Sequence, residues 1–164
     1  MALRTVRVTA ADVKDGRYVG SENLAACDGH IEIEASLGTV FFVHLSARGR
    51  IRALAGSGIE AGSGIEAGSG IEAGWGIEAG SGIEAGWGIE AGWGIEAGGG
   101  IEAGLSITCG AILQVAYRIF AGVTIRKATT TEQEQTITCK RLGGGTVAFG
   151  HLVETGDPRH GGEG

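Results

Sequence analysis

Eight glutamates, Glu60, Glu66, Glu72, Glu78, Glu84, Glu90, Glu96 and Glu102, recur at intervals of six residues, and Trp75, Trp87 and Trp93 stand among them. An evenly spaced row of carboxylates without a neutralising base is suited to engaging a basic surface. Tryptophan adds the large contact area found at the centres of interfaces. These eleven residues form the candidate partner-binding set. The remaining reactive residues make weaker constellations. Cys27-Asp28-Gly29-His30 offers two metal ligands where a structural zinc site takes four. Cys109 and Cys139 have no close partner in sequence, and no metal is expected. His44, His151 and His160 are bases without a nucleophile motif such as G-x-S-x-G. Gly56-Ser57-Gly58 is followed by Gly62, so the spacing is GxGxxxG and not a dinucleotide fingerprint, and no GK[ST] occurs. Neither a catalytic residue nor a cofactor is expected, and the chain reads as a binding protein, not an enzyme.

Charge follows the same division. Residues 55–104 carry eight Glu and no Lys or Arg, while residues 1–54 and 105–164 are each +1, within a total of −6. The acidity belongs to the repeat. Arg48, Arg50 and Arg52 alternate just ahead of it, which as a strand places them on one face, where they protect an edge or pair with neighbouring Glu. Three widely spaced cysteines argue against a disulfide framework and for a reducing cytoplasm. No apolar stretch reaches membrane-spanning length, and the start, MALRTVRVTA, has no signal-peptide core.

The carboxylates must be positioned by the hexapeptide I-E-A-G-x-G. Perfect copies place Ile at 59, 65, 71, 77, 83, 89, 95 and 101, and Ile107, Leu113, Ile119 and Ile125 continue the register. Cys109, Val115 and Ala121 continue the Ala position. Upstream, residues 53–58 read as a degenerate copy, so the repeat body spans 53–126. Within a copy Ile, Ala and the variable residue alternate with Glu, Gly and Gly, the two-residue period of a strand. Two or three Gly in every six residues exclude a helix, and polyglycine or collagen packing needs a period of three. Short strands joined by Gly-rich corners describe an all-β solenoid. Ile and Ala fill a thin core, Glu points out, and Gly is expected to supply positive φ at the corners.

I-E-A-G-S-G resembles the hexapeptide-repeat pattern of triangular β-helices, over residues 53–126. The resemblance implies coils of 18 residues, in which Trp75 stacks over Trp93. A two-sided coil of 12 would stack Trp75 over Trp87. The Trp occupy a slot that is small in that pattern, which puts them outside the core or at a corner. Residues 1–52 read as an N-terminal β capping region containing strands at Leu3–Val8, Ile31–Ala35 and Thr39–Leu45. Residues 127–156 read as a C-terminal region in which Thr136–Leu142 and Thr146–Val153 form a hairpin around Gly143-Gly144-Gly145. Residues 157–164 read as a flexible tail.

In an 18-residue coil three Glu per turn give about one charge per 1.6 Å of axis, against about 1.7 Å in duplex DNA. In strategy this is similar to the acidic DNA-mimic proteins of phages and mobile elements, such as anti-CRISPR proteins and solenoid inhibitors of gyrase. The resemblance implies a nucleic-acid-binding partner with a basic surface, for example a bacterial defence complex. It implies no direct contact with nucleic acid or membrane, and is compatible with a homo-dimer. The alternative is a self-assembling structural scaffold whose Glu face only water.

Overall fold

The computed structural model describes residues 2–156; the expected tail, 157–164, lies outside the described residues. The chain winds as a β-solenoid of about 7 turns with three parallel faces. Face 1 contains Thr5–Val8, His30–Ile33, Ile51–Ala53, Ile71–Ala73, Ile89–Ala91, Ile107–Cys109, Thr136–Cys139 and His151–Glu154, in that spatial order. Face 2 contains Arg17–Tyr18, Gly38–Phe42, Ser57–Ala61, Ile77–Ala79 and Ile95–Ala97, and face 3 contains Leu45–Ala47, Ile65–Ala67, Ile83–Ala85 and Ile101–Ala103. The long strand Ile112–Ala121 closes both: Leu113 pairs with Ile95 on face 2, and Ile119 pairs with Ile101 on face 3. Arg141–Phe149 then runs parallel along that strand.

Pairing identical residues 18 apart produces columns. Ile71 pairs with Ile89 and Ile107, Ile77 with Ile95, and Ile83 with Ile101. Each of these isoleucines is almost wholly buried, as are the alanines two residues on. Burial of one Ile contributes about 1.5–3 kcal/mol relative to leaving it in water, and three per turn make this column the main apolar support of the fold. The Glu between Ile and Ala points outward, as the alternation requires.

The corners depart from expectation in two ways. The variable residue does not share the inward face with Ile and Ala; it sits with both Gly in a three-residue corner. None of the corner Gly between 62 and 110 has positive φ. Their role is close approach. A Cβ on Gly74 would come within 2.7 Å of the Leu54 carbonyl oxygen in the preceding coil, and at Gly80, Gly86, Gly92 and Gly98 the equivalent oxygen would be closer still. Coil stacking leaves no room there for any side chain.

The flanks are further coils, so the expected caps at 1–52 and 127–156 carry the same faces as the repeat body. Thr39–Leu45 is two strands on different faces, divided by a corner at Val43 and His44. The reading of Ala53 as a degenerate Ile is corrected. Ile51 fills the Ile position and Ala53 the Ala position, paired with Ile71 and Ala73, and the next corner is lengthened. That corner turns at Gly56 (φ 78°) and is fixed by the buried Ser57, which donates to the Glu34 carbonyl and accepts the Leu37 N–H at 3.0 Å. Ile125 is not in the Ile column. The chain leaves face 3 at Gly122 (φ 85°), leaving Ile125 fully exposed. The expected C-terminal hairpin is also absent: Thr136–Cys139 and His151–Glu154 pair in parallel on face 1, and Gly143 to Gly145 lie inside the strand Arg141–Phe149. Arg48 and Arg50 lie in a corner with Gly49, so the three arginines do not share a strand face.

Candidate interaction surface

The three faces sort the eight glutamates into three columns. Glu72 and Glu90 stand on face 1, Glu60, Glu78 and Glu96 on face 2, and Glu66, Glu84 and Glu102 on face 3. Neighbours in a column are one strand spacing apart, about 4.8 Å. Two carboxylates at that distance repel by about 0.9 kcal/mol even in water.

The columns end differently. On face 1, Arg52 takes the position above Glu72 and binds it at 3.2 Å, with Thr108 below Glu90. On face 2, Phe41 stands above Glu60 and Gln114 below Glu96. On face 3, Ser46 stands above Glu66 and Phe120 below Glu102. Face 2 is the most strained electrostatically. Partial burial raises the Glu78 carboxyl above its usual value of 4.5, and Glu60 and Glu96 on either side raise it further.

The tryptophans lie at corners, outside the core. Trp75 and Trp93 stack at the corner between faces 1 and 2, ring centroids 5.0 Å apart and planes 8° from parallel. This is the pairing required by 18 residues per coil. Trp75 is half-buried and Trp93 is 58% exposed. Trp87 is at the corner between faces 3 and 1, half-buried, with the Arg126 guanidinium 5.9 Å from its ring centre. A groove of about 630 Å³ runs between the Trp75–Trp93 ridge and the face 2 column, lined among others by Thr39, Glu78, Glu96, Ile112 and Gln114. The sequence separation of these residues hides the groove; only the 18-residue coil brings them together.

The other candidates are absorbed by the fold. His30 accepts the Arg50 backbone N–H on Nδ1 at 3.0 Å, and Cys27 is buried with its Sγ 3.9 Å from the His30 carbonyl oxygen. His44 Nδ1 and Ser63 Oγ hydrogen-bond at 3.1 Å, His151 is exposed in the last strand of face 1, and His160 lies outside the described residues. Cys109 and Cys139 occupy the Ala position of adjacent coils; burial pushes both thiols up, Cys139 to about 11, which makes them poor nucleophiles. Among the described residues no group of three or more His, Cys, Asp or Glu is arranged to hold a metal ion. No helix is long and apolar enough to cross a membrane. Sequence reasoning missed two contacts, Arg52 on Glu72 and Arg126 on Trp87. The first was readable from a spacing of 20 in place of 18; the second had no signal in the sequence.

The fold defines the class: a three-faced parallel β-solenoid bearing outward carboxylate columns. No protein-family model, curated protein or solved structure matches this chain.

Proposed function

We propose that this chain is a non-enzymatic binding protein. Its carboxylate columns imitate the charge of nucleic acid and occupy the basic surface of a nucleic-acid-binding partner, in the manner of an inhibitor. The observation that carries the reading is the arrangement of eight Glu in three columns, with no Lys or Arg between residues 55 and 104. Three carboxylates per coil give about one charge per 1.6 Å of axis, near the 1.7 Å of duplex DNA. The eight together span about 13 Å, the length of roughly four base pairs. A surface kept only for solubility mixes both signs.

A scaffold assembled end to end is the second reading. It is favoured by the regular parallel register of face 1, which ends in single strands, Thr5–Val8 and His151–Glu154. One experiment addresses both. Immobilised protein is exposed to bacterial lysate, and captured proteins are eluted with a short DNA duplex; the control replaces Glu66, Glu78, Glu90 and Glu102 with Gln. The mimic reading expects DNA-binding proteins that the duplex releases, that the variant fails to capture, and whose retention falls steeply with salt. Capture unchanged by the four substitutions, together with filaments in sedimentation, would transfer the assignment to the scaffold.

A further inference from the structure

The Trp75–Trp93 stack is open at one end. Trp75 is covered on its far side: a Cβ at Gly58 would lie 3.2 Å from the Trp75 Cβ, and one at Gly38 would lie 3.9 Å from its ring. Trp93 has Trp75 on one face only. The next residue along this corner, 18 positions on, is Ala111, which projects no ring, and the neighbouring Ile112 is itself 42% exposed. The exposure of Trp93 is therefore that of a free aromatic face, one coil wide, over a small residue. Beside it on face 2 stand Glu96 and Glu78, with the neutral Gln114 closing the column.

The protein shows elsewhere what such a face takes. Arg17 lies 4.3 Å above the ring of Phe41, the residue heading the same face 2 column, and Arg126 lies over Trp87. Among the described residues no cation lies over Trp93. Arg141, the register partner of Ile112, is exposed and does not line the groove.

We propose that the groove between Trp93 and Glu96 is a recognition site for an arginine side chain of the partner, whose guanidinium stacks on Trp93 over Ala111 while its N–H groups face the carboxylates of Glu96 and Glu78. A planar guanidinium both stacks on an indole and presents paired donors to carboxylates; a lysine ammonium does only the second well. The two carboxylates supply charge complementarity, and a cation placed between them relieves the repulsion that keeps the Glu78 carboxyl up. The inference rests on the reading of the solenoid as a surface for basic partners and adds a preference that net charge alone does not produce.

The test is binding of acetylated tetra-arginine and tetra-lysine peptides to the full chain, followed by tryptophan fluorescence and calorimetry. The arginine peptide is expected to bind at least fivefold tighter than the lysine peptide. Ala111→Trp fills the slot with a residue that the same corner already accepts twice, so the fold is kept and the preference disappears. Trp93→Ala does the same by removing the platform. Equal affinity for both peptides, or an arginine preference that survives Ala111→Trp, overturns the groove assignment and leaves the charge reading standing. Failure of either peptide to bind at low salt overturns both.

Discussion

Trp93 lies over Trp75 in the next coil with ring planes 8° apart, while Trp87, between them in sequence, faces Arg126 at another corner. Two of the three tryptophans are thus an electronically coupled pair and the third is not. Near-ultraviolet circular dichroism should show an exciton couplet that either Trp75→Phe or Trp93→Phe abolishes and Trp87→Phe leaves intact. Loss of the couplet with Trp87→Phe would contradict the 18-residue coil. The stack also carries about 0.5–1.5 kcal/mol beyond its buried area, so the first two variants should lower the denaturation midpoint more than the third.

The corner glycines make a sharper distinction between adjacent residues. Gly80 cannot carry a Cβ because the Gly62 carbonyl oxygen of the previous coil already occupies that space, whereas Ser81 is exposed. Gly80→Ala should cost at least about 1–3 kcal/mol, since the obstacle is backbone and not a movable side chain. Ser81→Ala should stay within about 0.5 kcal/mol of the parent. Urea denaturation of the two variants measures both. Equal midpoints would mean that the coils are not packed at this spacing.

Much of this architecture is legible in the sequence for a definite reason. Ile and Ala are buried in every copy, so the alternation in the text is the alternation in space, and the three tryptophans report the coil length. Legibility fails where a corner changes length. Ile51-Arg52-Ala53 has the same inside–outside order as Ile-Glu-Ala, but the lengthened corner after it shifts the frame and makes Ala53 look like the start of a copy. Gly143-Gly144-Gly145 looks like a turn because turns use glycine. Here a Cβ at Gly144 would meet the Gln114 side chain at 2.8 Å, and one at Gly145 the Val115 carbonyl at 2.9 Å, so close approach between strands explains them. The groove beside Trp93 was invisible because its residues come from four separate coils.

Glu78 gives the acidic columns a pH signature. Its folded-state value is raised, first by partial burial and then by Glu60 and Glu96, so the native state holds this proton more tightly than the unfolded chain does. The resulting stabilisation is complete below the ordinary value of 4.5 and is lost as pH rises through the folded value. At pH 7 the ionised group is therefore a net liability. Glu78→Gln should be more stable than the parent at pH 7, by about 0.5 kcal/mol once solvent and salt screening are allowed for. The difference should shrink towards zero near pH 4. A variant that is less stable than the parent at pH 7 would show that the column is not self-repelling.

Ser57 marks the seam between the irregular N-terminal coils and the regular repeat. It is the one fully buried polar side chain among the described residues, and its hydroxyl serves two backbone groups of the preceding coil, the Glu34 carbonyl and the Leu37 N–H. Replacing it with Ala leaves both groups without a partner in a space too dry to hydrate them, which costs about 1–3 kcal/mol. The loss should be local, because a solenoid coil contacts only its neighbours. In hydrogen exchange, Ser57→Ala should speed exchange in strands His30–Ile33 and Gly38–Phe42 while leaving Ile95–Ala97 and Ile101–Ala103 protected as in the parent. Uniform acceleration along the whole chain would mean that the coils unfold as one unit and that the seam has no independent stability.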